Sequence, residues 1–138
     1  MKINSLFLFC LLVHVSVYSQ QNNEVIPDPQ PPTKLSLAEV MNKIPGSRGE
    51  RYALGMKHGS MRVLVYAPKG KDDQTPHNQD EVYLVVNGHG SFECGKEKVE
   101  FKPNDLLFVP AGVSHRFVDF TDDLVVWVVF YGVIGGEK

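Results

Sequence analysis

From residue 50 to residue 131 the chain keeps one cadence: a short run rich in Val, Phe and Tyr, then Gly, Pro, Asn or Asp, then the next run. "RYALGMK", "MRVLVYAP", "EVYLVV", "GSFEC", "KVEF", "DLLFVP", "HRFVDF" and "LVVWVVFYG" follow one another in this way. Short β-branched and aromatic runs bounded by turn residues read as strands, so the body is expected to be all-β. Asn87-Gly88 and Cys94-Gly95 suit hairpins, Pro103-Asn104-Asp105 suits a turn, and Pro110-Ala111-Gly112 breaks the chain before the next strand. Many short strands expose edges unless the sheet closes on itself, so a small barrel or jelly roll is expected. The run "LVVWVVFY", residues 124–131, is apolar on both faces. One face lines the barrel interior, and the other needs a helix or a second subunit over it, which makes a homodimer an expectation.

Ahead of the strands, "LSLAEVMNKIPG" places Ser36 as an N-cap with Glu39 three residues on, the spacing of a capping box, and sets Leu35 against Val40 as a hydrophobic staple. One short helix over residues 36–44 is predicted, with Leu37, Val40, Met41 and Ile44 on the face that packs against the outside of a sheet. Residues 20–34, rich in amides and prolines, read as a flexible linker. Residues 1–19 carry Lys2, an apolar stretch of about twelve residues and small or polar residues at the end, the pattern of a cleaved signal peptide. That stretch falls short of the roughly 20 residues that span a bilayer. Export to the periplasm or beyond is therefore expected, with no stable membrane insertion after cleavage. Cleavage takes the formal charge from −2 to −3, because it removes Lys2 and no acid, so nothing in the balance attracts nucleic acid. It also leaves Cys94 as the lone thiol, so the domain over 35–138 must be stable without an internal disulfide.

The chemistry-bearing residues fall in "TPHNQDEVYLVVNG", residues 75–88, and in "VPAGVSHRF", residues 109–117. Period-two alternation aims Thr75 with His77, and Glu81 with Tyr83, into one cavity, and does the same for His115, Phe117 and Asp119. Two imidazoles and one carboxylate are a ligand set for iron, manganese or zinc that leaves open positions for a substrate. The alternative at this level is that each histidine is simply hydrogen-bonded in the core. Tyr83, Phe108 and Phe117 are expected to line the pocket. His58 and His89 sit beside glycines in turns and are expected in exposed loops, Arg116 to pair at the surface, and Asp80, on the face opposite Glu81, to be solvated.

These stretches resemble the two conserved motifs of the cupin family. Thr75, His77, Glu81 and Gly88 fall at the first motif's spacing, with threonine in place of its first histidine and Gly70 one residue too close to position 75. Asn104, Pro110, Gly112, His115 and Asp119 fall at the second motif's spacing, with asparagine in place of glycine and aspartate in place of asparagine. The motifs, about 70–88 and 104–119, are separated by fifteen residues, as in compact microbial cupins. The resemblance implies a cupin-type jelly-roll barrel, often dimeric, with a divalent metal (iron, manganese, zinc or nickel) held by His77, Glu81 and His115. It implies in addition a small-molecule ligand in the barrel mouth. Because a threonine hydroxyl is a poor ligand for such a metal, the expected site has three protein ligands plus water, with Gln74 the nearest substitute for a fourth. The fold hosts dioxygenases, isomerases and non-catalytic binding modules alike, so the sequence assigns no catalytic residue.

Overall fold

The computed structural model describes residues 33–138; the expected signal peptide and residues 20–32 of the expected linker lie outside the described residues. One helix, α1 (Leu37–Met41), precedes eight strands. These are β1 (Tyr52–His58), β2 (Met61–Tyr66), β3 (Asp80–Asn87), β4 (Gly90–Cys94), β5 (Glu97–Phe101), β6 (Leu106–Val109), β7 (His115–Val118) and β8 (Val125–Tyr131). All the named pairings are antiparallel and form two sheets, one in the order β1-β2-β8-β3-β6 and one in the order β5-β4-β7. The all-β jelly-roll expectation holds. Tyr83, Val85, Phe92, Phe101, Val109, Phe117, Leu124, Val126, Val128 and Phe130 form the core cluster, drawing on both sheets.

Local rules account for several joints. β1 turns into β2 through Gly59-Ser60, and β4 into β5 through Gly95-Lys96, each with its glycine at positive φ. Asn87-Gly88 departs from the hairpin expectation, because β3 and β4 belong to different sheets and the turn carries the chain across the barrel. The register of β3 against β8 slips between Val85 and Asn87, and Gly88, at φ 86°, lies so close to Leu124 that a Cβ there would fall 2.6 Å from its Cα. Pro103-Asn104-Asp105 also joins the two sheets, with Asn104 at φ 73°, a conformation asparagine tolerates better than most side chains.

The capping box forms as predicted: Ser36 accepts from the Glu39 amide, and the Glu39 carboxylate accepts from the Ser36 amide at 3.0 Å. The helix is shorter than expected, with its C-cap at Asn42. Val40 is fully buried with Ala53 and Val65, and Leu35, Leu37, Met41, Ile44, Val125 and Trp127 pack around them. The outward side chains of β8 therefore lie partly under α1, and its alternate residues Val126, Val128 and Phe130 point into the core. Trp127 belongs to the helix-covered face.

Candidate metal centre

β3 begins at Asp80, so His77 sits in the irregular segment before it, and Thr75 and His77 are not strand neighbours. Long-range bonds hold that segment in place. The Gly112 amide donates to the His77 carbonyl at 2.6 Å, which ties the first motif to the turn of the second, and the Gly135 amide donates to the Asn78 carbonyl at 2.8 Å. Asp80, expected to be solvated, is instead 4% exposed. Its two carboxylate oxygens accept from the Ala111 amide at 2.9 Å and the Glu137 amide at 2.8 Å. The face opposite Glu81 is closed by the turn 110–112 and the C-terminal tail, which strand periodicity cannot foresee.

With these anchors, His77, Glu81 and His115 offer ligand atoms that all lie within 4.8 Å of one another. Glu81 Oε2 stands 3.2 Å from His115 Nε2 and 3.6 Å from His77 Nε2. The Glu81 and His115 side chains are almost wholly buried, whereas His77 keeps 29% of its side-chain surface exposed at the cavity. His115 Nδ1 lies 2.8 Å from the Val113 carbonyl. A carbonyl only accepts, so Nδ1 carries the proton and a neutral His115 turns the Nε2 lone pair toward Glu81. Both carboxylate oxygens of Glu81 and the Nε2 atoms of both histidines are buried and without hydrogen-bond partners. Unpaired polar atoms of this kind are rare in a folded core and costly in the absence of a shared partner. Four such atoms facing one another could serve as the donor set of a cation, and the residues fit a divalent metal of the kind their chemistry implies.

Burial lowers the readiness of His77 to take a proton, against the opposing pull of Glu81. For His115, burial acts in the same direction but is outweighed by the Glu81 carboxylate and the Val113 carbonyl, which together hold its pKa above the usual imidazole value.

A second group of side chains lies behind the cluster. The Tyr83 hydroxyl donates to Gln74 Oε1 at 2.8 Å, and Gln74 Nε2 donates to Asp72 Oδ2 at 3.0 Å. Burial, reinforced by the nearby Glu81 carboxylate, pushes the Tyr83 phenol far above its usual range, so it remains a proton donor. Asp72, itself 8% exposed, also accepts from the Tyr66 hydroxyl at 2.7 Å and from the Phe117 amide at 2.7 Å. Gln74, suggested by the sequence as a possible fourth ligand, has its oxygen bonded to the Tyr83 hydroxyl and serves as a strut in this network. Thr75 lines the cavity from an exposed position. Tyr83 and Phe117, expected to line the pocket, are instead fully buried beneath the site as part of the core. Phe108 does not reach it: β6 pairs with β3 so that Leu107 and Val109 face inward, and Phe108 is 54% exposed on the outer face. His89 is exposed in a loop and Arg116 pairs with Glu93 at 2.7 Å at the surface, as expected, whereas His58 is exposed but closes strand β1 and does not lie in a loop.

The cavity over His77 and Glu81 has a volume of about 480 Å³ and is lined in addition by Gln74, Thr75, Arg51 and Arg62. Both arginines lie outside the two motifs, and Asp72 is not among the residues that mark them. Asp72 sits in a run of charged residues that reads as a solvated loop. Arg62 did leave a signal, since in "MRVLVY" it shares a face with Leu64 and Tyr66.

Residues 62–131, half of the chain, match the family model of the cupin domain. The chain belongs to the cupin family. Among relatives of this cupin is an uncharacterised Streptomyces coelicolor protein, 40% identical over 81 residues, which cover 57% of this chain and 77% of that one. The acireductone dioxygenase of Exiguobacterium sibiricum is 37% identical over 65 residues, covering 44% of this chain but only 36% of the enzyme. Among solved structures, TT1209 of Thermus thermophilus superposes with a TM-score of 0.57 at 19% identity, over 75% of this chain and 98% of that one. KdgF of a Halomonas species superposes with a TM-score of 0.51 at 20% identity, over 57% and 76% of the respective chains. These superpositions share the fold.

Proposed function

We propose that this protein is an exported cupin that binds a divalent transition metal through His77, Glu81 and His115. It takes a small oxygen-rich ligand in the cavity above them, with dioxygenase- or isomerase-type turnover. The observation that carries the reading is the set of buried, unpaired atoms from these three side chains, 3.2 to 3.6 Å apart around Glu81 Oε2. The similarity to an acireductone dioxygenase, although limited to part of that enzyme, adds support for oxygen chemistry. A metal at this position would supply a Lewis acid with open coordination sites, and iron would add a redox centre.

The protein's own groups divide the work. Glu81 and His115, buried and anchored, fix the ligand set on the floor of the cavity, and His77 closes it from the rim. The Val113 carbonyl holds His115 in the tautomer that presents Nε2. Tyr83, kept protonated, passes its hydrogen bond to Gln74 and holds the Asp72 network rigid beneath the reacting space. A second reading, a binding module without turnover, is favoured by one fact: the side chains nearest the cluster include no free general base, since Tyr83 and Asp72 are bonded internally.

Metal analysis of the mature protein tests the core of the proposal. About one metal per chain is expected, falling to near zero in His115→Ala and by at least tenfold in affinity in His77→Ala. Wild-type protein that stays metal-free after anaerobic reconstitution with iron, manganese, zinc and nickel would overturn it. Oxygen uptake by the loaded protein with enediol and keto-acid compounds then separates the enzyme from the binding module.

A further inference from the structure

Arg62 lies on the inward side of β2, where the alternation Arg62, Leu64, Tyr66 faces the barrel interior and Val65 faces α1. An arginine on the concave side of a sheet needs a reason, because its charge leaves bulk water. Its guanidinium rests 4.4 Å from the centroid of the Phe130 ring and donates from Nη2 to Gln79 Oε1 at 3.1 Å. The other side of the arrangement is the site itself, since the His77 ring meets Phe130 edge-on with centroids 4.8 Å apart. One aromatic ring therefore stands between the guanidinium and the candidate ligand His77. Arg51, just ahead of β1, lines the same cavity, with Nε donating to the Ala67 carbonyl at 2.8 Å.

The charges around this cavity are unequal in their pairing. Lys71 and Asp73 are bridged to each other at the exposed rim. Glu81 faces the two histidines. Neither Arg51 nor Arg62 is within ion-pair distance of a carboxylate among the described residues, and both are half-buried. Each guanidinium has five N–H donors and spends one of them on a neutral acceptor. Two fixed, half-buried guanidinium groups without counter-ions, set in the wall of a cavity, form a fork for a carboxylate.

We propose that Arg62, with Arg51, binds the carboxylate of a small organic acid whose other end presents adjacent oxygens to the metal at His77, Glu81 and His115. The substrate class is a carboxylic acid with a hydroxy or oxo oxygen pair at the end remote from that carboxylate. This rests on the metal reading above and adds to it the anionic end of the ligand. A cavity of about 480 Å³ falls within the range of small-ligand pockets and accommodates a molecule of this size.

Calorimetric titration of the zinc-loaded protein separates this proposal from the one it rests on. The probes are 2-hydroxyglutarate and 2-hydroxyadipate, which carry a second carboxylate, against 2-hydroxyhexanoate, which carries the same metal-binding end without it. The diacids are expected to bind at least tenfold more tightly, with an advantage that shrinks as salt is raised, since charge-assisted hydrogen bonds carry it. In Arg62→Gln the advantage falls about threefold, and in Arg62→Gln combined with Arg51→Gln it disappears, while zinc content stays at the wild-type level. Retained zinc reports an intact fold and an intact metal reading. Equal binding of diacids and monoacid by zinc-loaded wild type, or an advantage untouched in the double variant, overturns the carboxylate fork and leaves the metal site standing. Failure of wild type to hold zinc strikes the metal reading itself.

Discussion

Asp80 and Glu81 are adjacent acids with opposite tasks, because the strand sends one to each face. Glu81 keeps both oxygens free toward the histidines, whereas Asp80 spends both on backbone amides 31 and 57 residues away. Replacing Asp80 by Ala leaves the Ala111 and Glu137 amides without their acceptors, at a cost of about 3 kcal/mol. Asp80→Asn, which keeps one acceptor, costs less. Urea unfolding of the metal-free protein checks the order, and an unchanged midpoint for Asp80→Ala would remove Asp80 from the anchoring of the site. The grouping of His77, Glu81 and His115 was legible in the sequence through the spacing of the two motifs that contain them, although His77 precedes β3 and does not lie in it. Asp80 and Asp72 were not legible, since an acid beside other polar residues looks solvated until the distant chain that covers it is in place. The cover of Asp80 comes from backbone amides, which have no signature of their own in a sequence, and that of Asp72 from the Phe117 and Gln74 amides together with the Tyr66 and Gln74 side chains.

At the scale of elements, turn residues determine the structure where they govern only their own neighbours and leave it open where it depends on the destination of the chain. Gly95 closes a hairpin because β4 and β5 share a sheet, but Gly88 carries the chain from one sheet to the other. The residues at the two turns are alike; what separates them is the partner chosen by β3, which is β8 and not β4. The Gly88 crossing permits little substitution. A side chain there meets both a positive φ and the Leu124 backbone, so Gly88→Ala is expected to destabilise by about 3 kcal/mol. Gly59→Ala, at a positive φ with open space around it, serves as the comparison and is expected to cost about 1 kcal/mol. Equal losses in thermal unfolding would show that backbone conformation alone, without the contact to Leu124, sets the cost at Gly88. The helix followed its local signals more closely, because a capping box and a staple act within one turn, and its face found the outside of the sheet as predicted.

At the scale of the whole molecule, α1 covers the outer face over β1, β2 and one end of β8 but leaves the β3-β6 side bare. Leu84 opposes Leu106 and Val82 opposes Phe108 in register there, with Leu84 39%, Leu106 70% and Phe108 54% exposed. A contiguous apolar strip on an edge strand attracts a partner, and a strip of one chemistry is complementary to its own copy about a two-fold axis. The expected state of the mature protein at micromolar concentration is a homodimer through this face, measured as mass by sedimentation equilibrium. Leu106→Lys with Phe108→Lys places like charges across that axis and is expected to give a monomer. The substitutions lie on the face away from the core and away from His77, Glu81 and His115, so the monomer should retain its metal. A wild-type protein that sediments as a monomer at a hundred micromolar would exclude the dimer and leave the strip to some other cover. A dimer that survives both lysines would move the interface elsewhere on the barrel. Phe108 was expected in the pocket because aromatic residues near a ligand motif usually line it, but β6 has only four residues and its register against β3 gives the inward places to Leu107 and Val109. Its aromatic ring therefore stands on the outer face of β6, beyond the part of the sheet that α1 covers.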